Sequence, residues 1–206
     1  MSPSYEKNLY RRGYRTVAGV DEVGRGSLAG PVTACAVVIL QPSKLSVRKV
    51  KSRAAALLGD SKKLTRRQRE KVFEYLEQIP YIQWAVASTY PKVIDRINIY
   101  HASTLAAKRA VQKLPVRPDL VVVDGNFKLP LRIAQESFPK ADEKVLSCSI
   151  ASIIAKVIRD RFMVRYHRQY PQYRFDRHKG YGTKFHYTML RKCGPSSLHR
   201  RSFRLA

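Results

Sequence analysis

Apolar residues in this chain fall into two kinds of run. Thr16-Val17-Ala18-Gly19-Val20 and Val32 to Leu40 are short and rich in β-branched residues, with Gly30-Pro31 in the connection between them. Both read as strands, and their closeness in sequence makes antiparallel pairing the expectation. Helical spacing takes over at Val72, Phe73, Leu76 and Ile79, behind Thr65 and Gln68 at capping-box distance, which predicts a helix over Arg66 to Gln78. Ile82 to Thr89 reads as a third strand. Beyond Pro91, Ile99, Ala102, Leu105, Ala106 and Ala110 share one face of a helix over Asn98 to Lys113.

Leu120-Val121-Val122-Val123 is an unbroken apolar run, as a central strand buried on both faces requires, and it ends at Asp124-Gly125-Asn126. Leu131 to Phe138 predicts a fifth strand. From Val145 to Tyr170 the apolar positions Ile150, Ile153, Ile154, Val157 and Ile158 recur with helical period, and Pro171 ends the run. A short helix from about Thr183 to Lys192 stops at Gly194-Pro195. The pattern predicts an α/β fold, a mixed sheet of about five strands flanked by helices with a C-terminal helical appendage. The expected division is a main α/β domain over 1–159 and a helical appendage over 160–206. No internal repeat or low-complexity tract occurs.

Charge narrows the function. The 206 residues are 44% hydrophobic, enough for a sizeable core, yet 40 Lys and Arg stand against 15 Asp and Glu, a net charge of +25. Such an excess favours a phosphate backbone as partner, because each neutralised phosphate releases counterions. Part of it lies in Gln41 to Leu58, which reads as a solvated loop and weak helix. No apolar run approaches the roughly 20 residues of a membrane-spanning helix, and Met1 to Arg15 lacks the apolar segment of a secretory signal. A soluble, cytoplasmic chain with no membrane partner is expected. Cys35, Cys148 and Cys193 show no paired spacing, so they read as small core residues in a reducing compartment.

Against that basic background, Asp21 and Glu22 adjoin at a strand end, Gly24-Arg25-Gly26 follows, and Asp124 closes a second strand. Alone, an Asp-Glu pair would read as a surface turn. Mg²⁺ takes oxygen ligands, usually one or two carboxylates plus substrate phosphates. Paired ions can drive phosphodiester hydrolysis without a His, Ser or Cys nucleophile. Adjacent strand residues point to opposite faces. Asp21 is therefore expected as the central side-chain ligand, with Glu22 contributing from the strand end by side chain or backbone carbonyl.

The motifs resemble ribonuclease HII. Val20-Asp21-Glu22-Val23-Gly24-Arg25-Gly26 with Ala29-Gly30-Pro31-Val32 is similar to the family's signature. Asp60-Ser61-Lys62-Lys63-Leu64, Ile97-Asn98-Ile99, Asp124-Gly125-Asn126, Ala151-Ser152-Ile153 with Ala155-Lys156-Val157 and Arg159-Asp160, His178-Lys179-Gly180-Tyr181-Gly182-Thr183 and His199-Arg200-Arg201-Ser202-Phe203 follow in the family's order. The resemblance spans about Val17 to Phe203. It implies an RNase H-like fold, Mg²⁺ or Mn²⁺ as cofactor, and a monomer acting on RNA/DNA hybrids and on duplex DNA containing ribonucleotides. The implied reaction is two-metal-ion cleavage of the RNA strand, and 5′ to single embedded ribonucleotides, leaving 3′-hydroxyl and 5′-phosphate ends.

Asp21, Glu22, Asp124 and Asp142 match the family's four acidic positions. Where the family usually has Lys-Gly-Asp, this chain has Lys140-Ala141-Asp142-Glu143, which makes Glu143 the alternative fourth ligand. Gly24, Arg25 and Gly26 would read the 2′-hydroxyl through backbone groups, since side chains crowd a sugar edge. Tyr181 would stack on a deoxyribose 3′ to the ribonucleotide. Lys62, Lys63, Lys179, Lys184, Arg200 and Arg201 are candidate phosphate contacts. The five histidines lack metal-ligand spacing and read as structural or phosphate-facing; Ser152 reads as a packing residue. Arg25 and the short N-terminus favour HII over the sister family HIII, which has a lysine in the glycine-rich motif and an added N-terminal domain.

Two other functions compete. A non-catalytic basic RNA-binding protein of ribosomal type shares the size and charge but gives no reason for acids at two strand ends. A same-fold nuclease acting on DNA junctions gives no reason for the glycine-rich loop and Tyr181.

Overall fold

A computed structural model of the protein describes residues 4–40 and 64–205. Lys62, Lys63 and the basic segment Gln41 to Leu58 lie outside the described residues. In chain order the strands are β1 (Val17–Val23), β2 (Val32–Ile39), β3 (Ile82–Thr89), β4 (Leu120–Asp124) and β5 (Ala134–Phe138). The sheet order is β3-β2-β1-β4-β5. The β3-β2-β1 half is antiparallel, and β1-β4-β5 is parallel.

Period-two alternation sorts β2 between two layers. Ala34, Ala36 and Val38 meet the small residues Ala106, Ala107 and Ala110 of α3 (Pro91–Gln112). Cys35, Val37 and Ile39 face Val72, Phe73 and Leu76 of α2 (Arg66–Glu77) and Ile150, Ile153, Ile154 and Val157 of α5 (Leu146–Gln169). All eight residues of β2 are consequently buried. The Thr65 capping box forms as expected.

Three boundaries differ from the sequence reading. The helix expected from Asn98 begins at Pro91, with Asn98 at φ 63° and ψ 170° kinking it. Asparagine tolerates that left-handed φ, and its Oδ1 accepts the His101 amide at 3.1 Å, restarting the helix. Strand β5 begins at Ala134 instead of Leu131, because the Gln135 side chain bonds Leu129 and Leu131 backbone groups into a loop. An unforeseen helix α1 (Ser4–Arg11) docks through buried Leu9 and Glu6, whose carboxylate accepts the Ser147 amide at 3.1 Å.

At Gly19 the start of α5 lies directly on β1. A Cβ there would sit 2.3 Å from the Cys148 nitrogen. Helix α5 then crosses the sheet and continues unbroken through Asp160, where the appendage was expected to start. A 3₁₀ turn (Pro171–Tyr173), α6 (Phe175–His178) and α7 (Lys184–Cys193) follow, packing Tyr173, Phe175 and Leu190 onto Leu28, Ala29 and Met163. Cys35 and Cys148 are core residues, whereas Cys193 is exposed at the end of α7. Among the described residues no helix is long and apolar enough to cross a membrane.

Candidate active site

The site begins where two parallel strands part. Strands β1 and β4 pair through Val20 and Val123 and no further, so Asp21 and Asp124 are the first residues beyond the last pair. Strand β1 stays paired to β2 on its other side through Val23, past the break expected near Glu22. Asp21 and Glu22 nevertheless line one cleft of about 540 Å³ with Asp124, Arg69, Lys140 and Lys156. The Asp124 Oδ1 accepts the Ala141 amide at 2.8 Å, tying β4 to the short helix α4 (Ala141–Lys144) that carries Asp142.

Asp142 is buried, while the Glu143 side chain is half exposed and reaches Lys140 at 3.7 Å. The glycine missing at Ala141 does not disturb this loop, because the left-handed residue is Lys140, at φ 60°.

Burial pushes the Asp21 carboxyl well above the usual carboxylate range, and the charges of Glu22 and Asp124 push the same way, against a Ser152 hydrogen bond and the Glu22 amide at 2.7 Å. Burial likewise raises Glu22, opposed by Arg25 and reinforced by Asp124. Its Oε1 meets Arg25 at 3.3 Å, and its buried Oε2 has no hydrogen-bond partner among the described residues. Among the described residues no three His, Cys, Asp or Glu groups are close enough to hold an ion as they stand. The donors still fit a hard divalent ion. They are all oxygens, Asp21, Glu22 and Asp124 raise one another's affinity for protons, Glu22 Oε2 is orphaned among the described residues, and such ions take part of their shell from substrate phosphates.

Behind the carboxylates stands a scaffold of buried cations. Arg159 and Arg200 are both fully buried. Arg200 donates to the carbonyls of Gly24 at 2.6 Å, Arg25 at 2.7 Å and Gly30 at 3.0 Å. Arg159 donates to Pro31 at 2.9 Å, Lys179 at 3.0 Å and Ala29 at 3.2 Å. Gly24 has φ +91°, and a Cβ there would lie 2.1 Å from the Arg159 Nε. Gly180, at φ +83°, fits against the Ala29 carbonyl, and its own carbonyl accepts the Leu28 amide at 2.8 Å. The glycine-rich loop and the Tyr181 loop are thereby fastened together.

The Tyr181 ring lines the cleft, with the Lys156 ammonium and Arg159 guanidinium each 5.5 Å from its centroid. Two expected phosphate contacts are turned inward. Arg200 spends its donors on backbone carbonyls, which corrects that expectation; Lys179 is buried and donates to the carbonyls of Asp176 and Arg177. The sequence reading missed Arg159 as a scaffold cation, Ser152 as a partner of Asp21, and Arg69, Lys140 and Lys156 as cationic walls. For Ser152 and Lys156, the four-residue spacing on α5 was the available signal.

A mixed sheet in the order β3-β2-β1-β4-β5, with acids where its parallel strands β1 and β4 part, defines an RNase H-like nuclease. The sequence model of ribonuclease HII matches residues 18–206. The ribonuclease HII of Caldicellulosiruptor bescii is 47% identical over 201 residues, covering 96% of this chain and 91% of that protein. The crystal structure of ribonuclease H2 from Pyrococcus horikoshii OT3 superposes with a TM-score of 0.74 at 27% identity, covering 92% and 94% of the two chains. Bst-RNase HIII in complex with Mn²⁺ shares the fold, with a TM-score of 0.72 at 20% identity over 92% and 67%. The chain belongs to the ribonuclease HII family, and with that membership comes metal-dependent endoribonuclease activity. A non-catalytic RNA-binding role finds no support in these relatives.

Proposed function

We propose that Asp21, Glu22, Asp124 and Asp142 hold Mg²⁺ or Mn²⁺, and that the protein cleaves the RNA strand of RNA/DNA hybrids and duplex DNA 5′ to single ribonucleotides. The observation that carries this reading is the parting of β1 and β4 at Val20 and Val123, which sets Asp21 and Asp124 at one opening beside the orphaned Glu22 oxygen. Two such ions, when bound, supply activation of the attacking water and charge stabilisation at the leaving 3′ oxygen, giving 3′-hydroxyl and 5′-phosphate ends. Ser152 orients Asp21, and the Ala141 amide orients Asp124. Arg25, held by Glu22 and by the Phe127 ring at 5.9 Å, keeps the glycine-rich loop against the acids.

Backbone groups of Gly24, Arg25 and Gly26 read the 2′-hydroxyl. Gly26 supports this role, because neither a positive φ nor any neighbour within 4 Å demands glycine there. Its missing side chain leaves room for something from outside. Tyr181 stacks on the deoxyribose 3′ to the ribonucleotide, and Arg69, Lys140 and Lys156 draw in the phosphates. Lys62 is assigned to the same backbone contacts on sequence grounds. The protein acts as a cytoplasmic monomer. The test is a duplex carrying one ribonucleotide, incubated with and without Mg²⁺ beside an all-DNA control and a DNA junction. Metal-dependent cleavage 5′ to the ribonucleotide is expected; an intact ribonucleotide duplex, or cleavage confined to the junction, overturns the reading.

A further inference from the structure

Three of the five histidines, His178, His186 and His199, are gathered in the C-terminal part of the chain. His186 and His199 are 0% and 2% exposed, with their Nε2 atoms 2.9 Å apart, and His178 stacks on His186 at 4.4 Å between centroids. No role in the proposed mechanism uses them, and among the described residues no three His, Cys, Asp or Glu groups are placed to hold a metal ion.

Their hydrogen bonds admit one neutral arrangement. The Tyr181 carbonyl can only accept, so His186 Nδ1, 2.9 Å away, carries a proton. The Ser196 amide can only donate, so His199 Nδ1, also 2.9 Å away, is bare. A neutral ring holds one proton. His199 is therefore protonated at Nε2 and His186 bare at Nε2, and these are the two atoms that face each other. The series runs without conflict from the Ser196 amide through His199 and His186 to the Tyr181 carbonyl, which also takes the Thr183 amide at 2.9 Å. His199 itself is bridged to Ala29, and the next residue, Arg200, grips Gly24 and Arg25.

We propose that His186 and His199 are positioning residues, a neutral hydrogen-bonded strut that fixes the Tyr181 backbone relative to the glycine-rich loop and thereby sets selectivity for an embedded ribonucleotide. The inference rests on the reading of Tyr181 as a substrate-facing ring. A purely packing role for the pair would accept any filling of the same volume. A strut depends on which nitrogen bonds to what.

Two substitutions separate these cases. His186→Asn keeps a donor where Nδ1 stands and so keeps the Tyr181 carbonyl, while leaving the His199 proton without an acceptor. His186→Gln keeps an acceptor where Nε2 stands and releases Tyr181. Cleavage of a single-ribonucleotide duplex is compared with cleavage of a long hybrid, alongside thermal melting. For His186→Gln the ratio of kcat/KM values on the two substrates falls about tenfold, the scale of one buried hydrogen bond. His186→Asn stays within about twofold of the parent while losing more stability. Adding Tyr181→Ala to His186→Gln lowers the ratio no further than Tyr181→Ala alone.

If both His186 variants lose selectivity in proportion to stability, the pair is packing and the inference fails. If Tyr181→Ala lowers selectivity and His186→Gln does not, the inference alone fails. If Tyr181→Ala has no effect, the role given to that ring fails first, and the strut's functional consequence goes with it. Nitrogen NMR of the unmodified protein at neutral pH checks the strut without any activity. The Nδ1–H form of His186, the Nε2–H form of His199 and a coupling between their Nε2 atoms are expected. The same tautomer in both rings, or a charged ring, overturns the proposal.

Discussion

The protein buries charge in two places and treats it in opposite ways. In the cleft, Asp21 and Glu22 are buried against each other and Asp124, and Glu22 Oε2 has no hydrogen-bond partner among the described residues. Behind it, Arg159 and Arg200 are buried more deeply still, yet each spends three donors on backbone carbonyls. Satisfied buried charge is architecture, because its hydrogen bonds repay desolvation and fix loops. Unsatisfied buried charge of one sign is a demand for something from outside. The contrast separates the groups proposed to do the chemistry from those that hold them in place.

Neutralising one acid sharpens the contrast most. Asp21→Asn is expected to lower cleavage by about three orders of magnitude or more, since an interaction central to transition-state charge is lost. It should also raise stability by on the order of 1 kcal/mol in metal-free buffer, as one member of a repelling set is removed. Hybrid binding survives. Full activity with magnesium, or a marked drop in melting temperature, would place Asp21 among the architectural groups.

Salt comes next, because the cationic walls are proposed to act through phosphate. If about six contacts form, affinity for a hybrid falls about a thousandfold between about 50 and about 200 mM salt. A flat titration would remove the basic cleft from the binding surface. Arg200→Met tests the architectural side. Three carbonyls lose their donor, so a loss of about 3 kcal/mol or more is expected in denaturant unfolding. Arg200→Lys should recover little, since one ammonium cannot reach three carbonyls in a fork. Recovery by lysine would show that charge, and not the fork, holds the loop.

The smallest effect expected is on pH dependence. Burial pushes both His186 and His199 down from an ordinary value of 6.5 to about 4. The unfolded chain takes up protons below about 6.5 that the folded chain refuses until about 4, so their contribution is complete above that window and declines as pH falls through it. Melting temperatures measured across the window should drop toward the acid side, with a shallower slope in His186→Asn. An unchanged slope in that variant would move the acid sensitivity elsewhere.

The strands, the principal helices and the acids were legible in sequence for the same reason: each is local. Alternating and continuous apolar runs mark β2 and β4, and a carboxylate at a strand end stands out where carboxylates are scarce. Arg159 and Arg200 were illegible because all but one of their carbonyl partners lie 128 to 176 residues away. In a chain of 40 basic residues nothing marks two of them as buried. The histidines were hidden similarly, since a search for metal-ligand spacing says nothing about nitrogens that bond to one another. Lys140 shows a subtler limit, as the resemblance pointed to the glycine absent at Ala141 while the backbone places its left-handed residue one position earlier.

Gly19 lines no part of the cleft, yet it acts as its spacer. With no side chain there, the first turn of α5 rests on the backbone of β1, two residues before Asp21. The same helix carries Ser152 to the carboxylate, Lys156 to the Tyr181 ring and Arg159 to the loop carbonyls. A single methyl group at Gly19 would act as a shim, lifting all three of those contacts at once.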